Sequence, residues 1–215
     1  MTIVLVNVIL ALLQVFVSGF TEAFLLDSSL VWSEPWRLLT SMFLHGGFGH
    51  ILFNMYALFI FGSLIEQRIG TKRFVFIYFL SGILAAVLST FFYERALGAS
   101  GAIMGILGVT IILMPDLRVL FFFMIPMSLR TAGIIFALVD IFGIFYSSGV
   151  ANIAHLVGLA CGLVYGFYLL KRKKSFQKRF YKGPKITVES PRDNSSKDIF
   201  MSNKDIDDYL RYGKL

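Results

Sequence analysis

The chain has 215 residues, of which 57% are hydrophobic and 15% are charged, and its mean hydropathy is +0.75. A soluble domain of this length has too little interior to bury so much apolar surface, so the composition predicts an integral membrane protein. The net charge of +7 comes mostly from residues 171–185, which we expect to contact anionic lipid rather than nucleic acid.

Six apolar segments precede residue 171, and together they predict an all-α integral membrane protein. Lipid offers no hydrogen bonds, so a chain crosses it as helices or as a closed barrel, and a barrel would show ten-residue strands of alternating polarity. The first segment is too long for a cleaved signal peptide and is expected to be a retained helix. The predicted transmembrane helices cover about 3–25, 50–65, 74–92, 100–114, 129–146 and 151–170.

The basic residues of the short loops predict the orientation. Loops rich in Lys and Arg stay in the cytoplasm. They occur after the second segment, after the fourth segment and at the start of the tail. Residues 1–170 are therefore predicted to form a multi-pass domain of the cell membrane with both termini in the cytoplasm. Residues 171–215 are predicted to form a basic, largely flexible cytoplasmic tail.

The loop after the first segment and the start of the second segment carry polar residues on the outer side. The loop at about 26–48 is predicted to be irregular and partly embedded, with Arg37 organising it through hydrogen bonds. His45 is expected to hydrogen-bond backbone and to shape this loop. His50 and Asn54 are one helical turn apart, so they share a face of the second helix.

The fourth segment begins at Ser100 and is short. From Ser100 to Met114 it rises roughly 22 Å, less than the roughly 30 Å of the hydrocarbon core. This length predicts a recessed helix that begins below the outer surface and leaves room for water above it.

The fifth and sixth segments each carry one titratable residue. Asp140 has no partner that the sequence identifies, and a structural hydrogen bond explains it better than catalysis does. His155 lies about one turn into the sixth segment, at nearly the depth of Ser100, His50 and Asn54. Glycines spaced by about four residues along the fourth and sixth segments predict that these two helices pack closely, which brings Ser100 toward His155.

These residue types indicate acyl transfer. A serine is a weak nucleophile until a base takes its proton, and a histidine does this near neutral pH. Backbone N–H groups at the start of a helix have no intrahelical partner. The N–H of Ser100, together with Asn54 and His50, is therefore expected to stabilise the oxyanion that forms when Ser100 attacks a carbonyl.

Four blocks of the sequence resemble the rhomboid intramembrane serine proteases: "EPWRLLTSMFLH", "HGGFGHILFNMYALFIFG", "GASGAIMG" and "AHLVGLACGLVYG". The resemblance covers about residues 1–170. It implies a six-helix rhomboid-like bundle and a dyad of Ser100 as nucleophile and His155 as base, with no third acid. Asn54, His50 and Ser100 would bind the oxyanion.

The resemblance also implies what the protein acts on. Its substrates would be membrane proteins, cleaved in or near a transmembrane segment at small residues, and no metal or other cofactor would be needed. One departure is visible, because Met104 stands where many members have a tyrosine.

Two other functions stay open at this point. One is an inactive relative that binds membrane proteins, and the other is a small transporter with a proton path through histidine and Asp140. Each polar residue also has a structural explanation, because Ser100 can cap its helix and His50 and Asn54 can join helices. The presence of both Ser100 and His155 favours the protease, and a transporter is expected to pair its charges near the midplane.

Overall fold

The structure is a computed structural model that describes residues 2–121, 124–146 and 149–180. Most of these residues are helical, as the composition predicts. We label the helices in chain order as α1 Thr2–Phe16, α2 Phe20–Phe24, α3 Arg37–Thr40, α4 Phe48–Ile69, α5 Thr71–Ser89, α6 Ser100–Leu113, α7 Leu129–Gly143 and α8 Asn152–Phe180. A single 3-10 turn, Ser41–Phe43, follows α3, and a π-helical turn, Leu58–Gly62, interrupts α4.

Within the described residues, three helices are long and apolar enough to cross a membrane. They are α4, α5 and the Asn152–Arg172 part of α8. The α1 and α6 helices are apolar but shorter. The structure is thus that of a mostly helical membrane protein. The compact helical unit ends at Leu170, although the backbone of α8 continues as a helix to Phe180. Residues 181–215 of the predicted tail lie outside the described residues.

The first predicted segment, 3–25, is not one helix. It breaks after Phe16 because Gly19 adopts a left-handed conformation (φ 79°), which ends α1 and starts the short α2. Gln14 secures this break. Its amide nitrogen donates to the Thr21 hydroxyl (3.0 Å) and to the His45 carbonyl (3.1 Å), and its oxygen accepts from the His45 N–H (2.9 Å). These hydrogen bonds use the backbone of His45, whereas both of its ring nitrogens are buried without a hydrogen-bond partner among the described residues. The predicted hydrogen bond from His45 to backbone is therefore not formed by its side chain.

Two short strand pairs depart from the predicted all-α fold. β1, Leu26–Asp27, pairs with β2, Arg95–Ala96, in antiparallel register. β3, Arg118–Phe121, pairs with β4, Ile125–Ser128, between α6 and α7. Strands of two to four residues are too short to show an alternating pattern. The β1–β2 pair ties the first loop, which follows α2, to the segment that leads into α6.

Arg37 organises the first loop, which follows α2, as predicted. Its guanidinium is buried, and it donates to the carbonyl oxygens of Glu22 (2.9 Å) and Leu25 (2.8 Å) and to the carboxylate of Glu34 (2.6 Å). An arginine held by a carboxylate and two carbonyls fixes the path of the chain before α4.

The predicted close packing of the fourth and sixth apolar segments is confirmed at α6 and α8. A Cβ atom on Gly158 would collide with the carbonyl of Gly101, and one on Gly162 would collide with the carbonyl of Gly105. A Cβ atom on Gly108 would lie 2.6 Å from the Leu159 oxygen. Here backbone meets backbone, so no flexible side chain can move aside, and the glycines set the distance between the helices.

Replacement of Gly162 by alanine should destabilise the protein. The new methyl group would force α6 and α8 apart, and overpacking of this kind typically costs about 1–3 kcal/mol. Gly49→Ala is the matched control, because a Cβ atom there meets nothing within 4 Å and alanine favours a helix. Thermal unfolding in detergent measures both variants. Equal melting temperatures for Gly162→Ala and the wild type would contradict the proposed role of the contact.

Candidate active site

Ser100 is the first residue of α6, and its position is set by the turn before it. The N–H of Gly98 donates to the Ser41 carbonyl (2.9 Å), and Gly98 has a φ of 134°, which other residues rarely adopt. The half-buried Ser100 therefore enters the helix directly after a sharp turn. As a residue of the first turn, it has a backbone N–H without an intrahelical partner.

His50 lies on the other side of Gly98. A Cβ atom on Gly98 would be 3.0 Å from Nε2 of His50 and 3.6 Å from the hydroxyl oxygen of Ser100. The Gly46 N–H donates to Nδ1 of His50 (3.2 Å). In the neutral imidazole, one ring nitrogen accepts and the other carries the proton. The proton of neutral His50 is therefore on Nε2, the nitrogen that lies beside Gly98.

Asn54 follows His50 by one turn of α4 and is buried. Its side-chain nitrogen has no hydrogen-bond partner among the described residues. A buried amide without a partner is costly, and such groups in native structures often have a functional explanation.

His155 lies in the second turn of α8, where its backbone N–H donates to the Ala151 carbonyl. The neighbouring Ala154 packs against Gly101, since a Cβ atom on Gly101 would be 3.4 Å from the Ala154 oxygen. The structure thus brings His155 and Ser100 to the same end of the α6–α8 contact.

The hydroxyl of Ser100 makes no hydrogen bond to His155 or to any other described residue. Catalytic hydrogen bonds are often long in ligand-free enzymes and shorten when substrate binds. Met104, one turn further along α6, is buried in an apolar cluster with Leu107 and Leu159.

Asp140 is the residue whose importance the sequence did not reveal. Its carboxylate oxygen Oδ1 lies 2.9 Å from Nδ1 of His155. The expected structural hydrogen bond exists, but its partner is the predicted base. One signal could have found it: α7 and α8 are consecutive helices joined by a short connection, so residues at similar distances from that connection can face each other. Asp140 and His155 satisfy this condition.

A cavity of about 30 Å³ adjoins Ser100. It has room for about one water molecule. Ser41 and Ser89 are among the lining residues, in a wall built mainly from small residues. The complete lining is Leu26, Ser41, Met42, Gly82, Ala85, Ala86, Ser89, Ala96, Leu97, Gly98, Ser100, Gly101, Ala151 and Ala154.

Comparison with known proteins agrees with this arrangement. The family model described as Rhomboid domain matches residues 33–172, well over half of the chain, and includes every residue of the candidate site. The chain belongs to the rhomboid family. Its rhomboid domain begins in the first loop, shortly before Arg37, and ends within α8.

Several relatives are similar over about two thirds of this chain. The chain is 33% identical to "RHOMBOID-like protein 6, mitochondrial" of Arabidopsis thaliana over 69% of its length, which covers 48% of that relative. It is 36% identical to "Rhomboid protease GluP" of Bacillus subtilis over 66% of its length, covering 27% of that protein. It is 34% identical to "Putative rhomboid protease YdcA" of the same organism over 66% of its length, which covers 70% of that protein. The chain thus spans less than half of the first two relatives.

Replacement of Asn54 by leucine, which has a similar shape, should leave the stability of the rhomboid domain unchanged or raise it. The amide nitrogen loses no partner, and exchanging a buried unpaired polar group for an apolar one is nearly neutral or favourable. Thermal unfolding in detergent tests this. A fall in melting temperature as large as that of Arg37→Leu, which removes three hydrogen bonds, would show that Asn54 has a structural partner.

Proposed function

We propose that this rhomboid is an intramembrane serine protease that hydrolyses peptide bonds in or near the transmembrane segments of other membrane proteins. The observation that carries the proposal is that a serine and a histidine lie at one end of the α6–α8 contact, with His50 across Gly98 from that serine and the unpaired amide of Asn54 one turn beyond His50 on α4. Relatives named as rhomboid proteases support the same reaction.

In the proposed reaction, Ser100 is the nucleophile and His155 is the base. The Ser100 oxygen bonds to the substrate carbonyl carbon while its proton moves to Nε2 of His155, and a tetrahedral intermediate forms. When the carbon–nitrogen bond breaks, His155 gives that proton to the leaving amine. Water then attacks the acyl-enzyme with His155 again as base, which releases the acid and restores Ser100.

Three donors would stabilise the negative oxygen of the intermediate. They are the backbone N–H of Ser100, Nε2–H of His50 and the side-chain nitrogen of Asn54. The position of the His50 proton and the missing partner of Asn54 both support this role, because each leaves an N–H group available for substrate. In soluble enzymes one such donor contributes about 100- to 1000-fold to kcat.

The substrate must expose a bond that a helix normally shields. Local unwinding therefore precedes attack, and glycine or proline in the substrate makes unwinding easier. The small cavity beside Ser100 supports cleavage next to a small side chain. The partners are thus membrane-protein substrates and the lipid bilayer, and the residues assigned here require no cofactor.

The proposed topology has six membrane-spanning helices, with α6 as the short, recessed fourth, and both termini in the cytoplasm. The basic residues after α4 support this orientation. Single cysteines in a Cys161→Ser background test it in sealed cells. Ser29→Cys, in the first outer loop, should react with an impermeant thiol reagent, and Lys72→Cys should not. The reverse pattern would invert the topology.

Cleavage of a model membrane substrate by purified protein in liposomes tests the function. Ser100→Ala and His155→Ala should each reduce kcat by at least roughly 1000-fold, since loss of either group in a soluble serine protease costs on the order of 10⁶-fold. Ser33→Ala, an exposed serine of the first outer loop, is the matched control and should cleave normally. Residual cleavage by Ser100→Ala would refute the assignment. A wild type that binds the substrate without cleaving it would favour an inactive binding protein.

A further inference from the structure

We propose that Asp140 is a positioning residue for His155, so that the site works as an Asp140–His155–Ser100 relay rather than as a two-residue dyad. The inference rests on the proposed protease function and extends its mechanism. It starts from the 2.9 Å contact between Oδ1 of Asp140 and Nδ1 of His155.

The contact is buried and supported by close packing nearby. The Asp140 side chain is only 8% exposed, and that of His155 is 21% exposed. One turn further along α7, a Cβ atom on Gly143 would lie 2.6 Å from the Asn152 side chain at the start of α8. Since α7 and α8 approach closely here, the carboxylate has little freedom to turn away from the imidazole.

A buried carboxylate inside an apolar helix is expensive unless it is paired. Among the described residues, the Asp140 side chain makes its hydrogen bond and its ion pair to His155 alone. The energetic cost of burying the Asp140 carboxylate is therefore offset by one contact, with Nδ1 of the proposed base. A carboxylate that pairs with His155 alone can hold the imidazole in one orientation, as a positioning role requires.

The contact decides which ring nitrogen of His155 can act as the base. A carboxylate only accepts hydrogen bonds, so Nδ1 must be the donor. In the neutral imidazole, Nε2 then has a free lone pair that can take the Ser100 proton. The imidazolium that results lies 2.9 Å from the carboxylate, and low-dielectric surroundings strengthen this attraction.

A purely structural role predicts something different. If Asp140 only tied α7 to α8, its replacement would lower stability and affect every activity in proportion to the loss of folded protein. A positioning role predicts a defect in kcat of the folded protein, little change in KM and a change in the imidazole tautomer.

Asp140→Asn keeps the size of the side chain and is the informative variant. Its kcat for the model substrate should fall by roughly 100-fold or more with KM within about threefold. The precedent is the triad aspartate of a soluble serine protease, where the same replacement costs about 10⁴-fold in kcat. Asp116→Asn, an exposed carboxylate after α6, is the control and should keep the wild-type kcat. A kcat of Asp140→Asn within twofold of the wild type would overturn the proposal while leaving the protease function intact.

Nitrogen-15 NMR of histidine-labelled protein in detergent provides a readout that does not depend on activity. The chain has three histidines, and the resonances absent from His155→Ala belong to His155. At about pH 8, where an ordinary histidine is neutral, His155 should carry its proton on Nδ1 in the wild type and lose this preference in Asp140→Asn.

The two measurements separate the possible failures. A wild-type His155 with its proton on Nε2 would overturn the relay whether or not the protein is a protease. The expected tautomer in a wild type that cleaves nothing would support the Asp140–His155 contact and count against the proposed function. If Asp140→Asn unfolds in detergent, the tautomer of His155 in the wild type still tests whether Asp140 accepts a hydrogen bond from Nδ1.

Discussion

The backbone contact between α6 and α8 is the constraint on which the rest of the site depends. Two helices that meet through Gly101, Gly105, Gly158 and Gly162 have no side chains between them, so their separation and relative height are fixed within narrow limits. Apolar packing alone would not provide this, because lipid solvates leucine as well as a neighbouring helix does. The proposed arrangement, with the nucleophile Ser100 on α6 and the base His155 on α8, follows from this contact.

Two pairs of polar side chains are used differently in this apolar molecule. Gln14 and Arg37 use their donors on backbone carbonyls and thereby hold the first loop and α1 in place. Asn54 keeps its side-chain nitrogen unpaired, and His50 carries the proton of its neutral ring on Nε2, beside Gly98. The first pair is satisfied by the fold, whereas in the proposed function the second pair binds the oxyanion. Such a division is expected where structure supports catalysis.

Much of this arrangement was predictable from the sequence, and the exceptions have physical reasons. Helical rise and glycine spacing were sufficient to predict the shared depth of Ser100 and His155, because both depend on local regularity. The partner of Asp140 depends on the rotation of α7 about its axis, which only tertiary contacts determine. The break of the first segment required the left-handed conformation of Gly19, and β1 and β2 are too short to leave a pattern.

The central claim is that Ser100 is an activated nucleophile and that His155 activates it. Labelling with a serine-reactive fluorophosphonate, followed by mass spectrometry of the modified peptide, tests this without knowledge of the natural substrate. The account predicts modification at Ser100 in the folded wild type and none in folded His155→Ala. Equal labelling of the two proteins, or modification only at other serines, would contradict it.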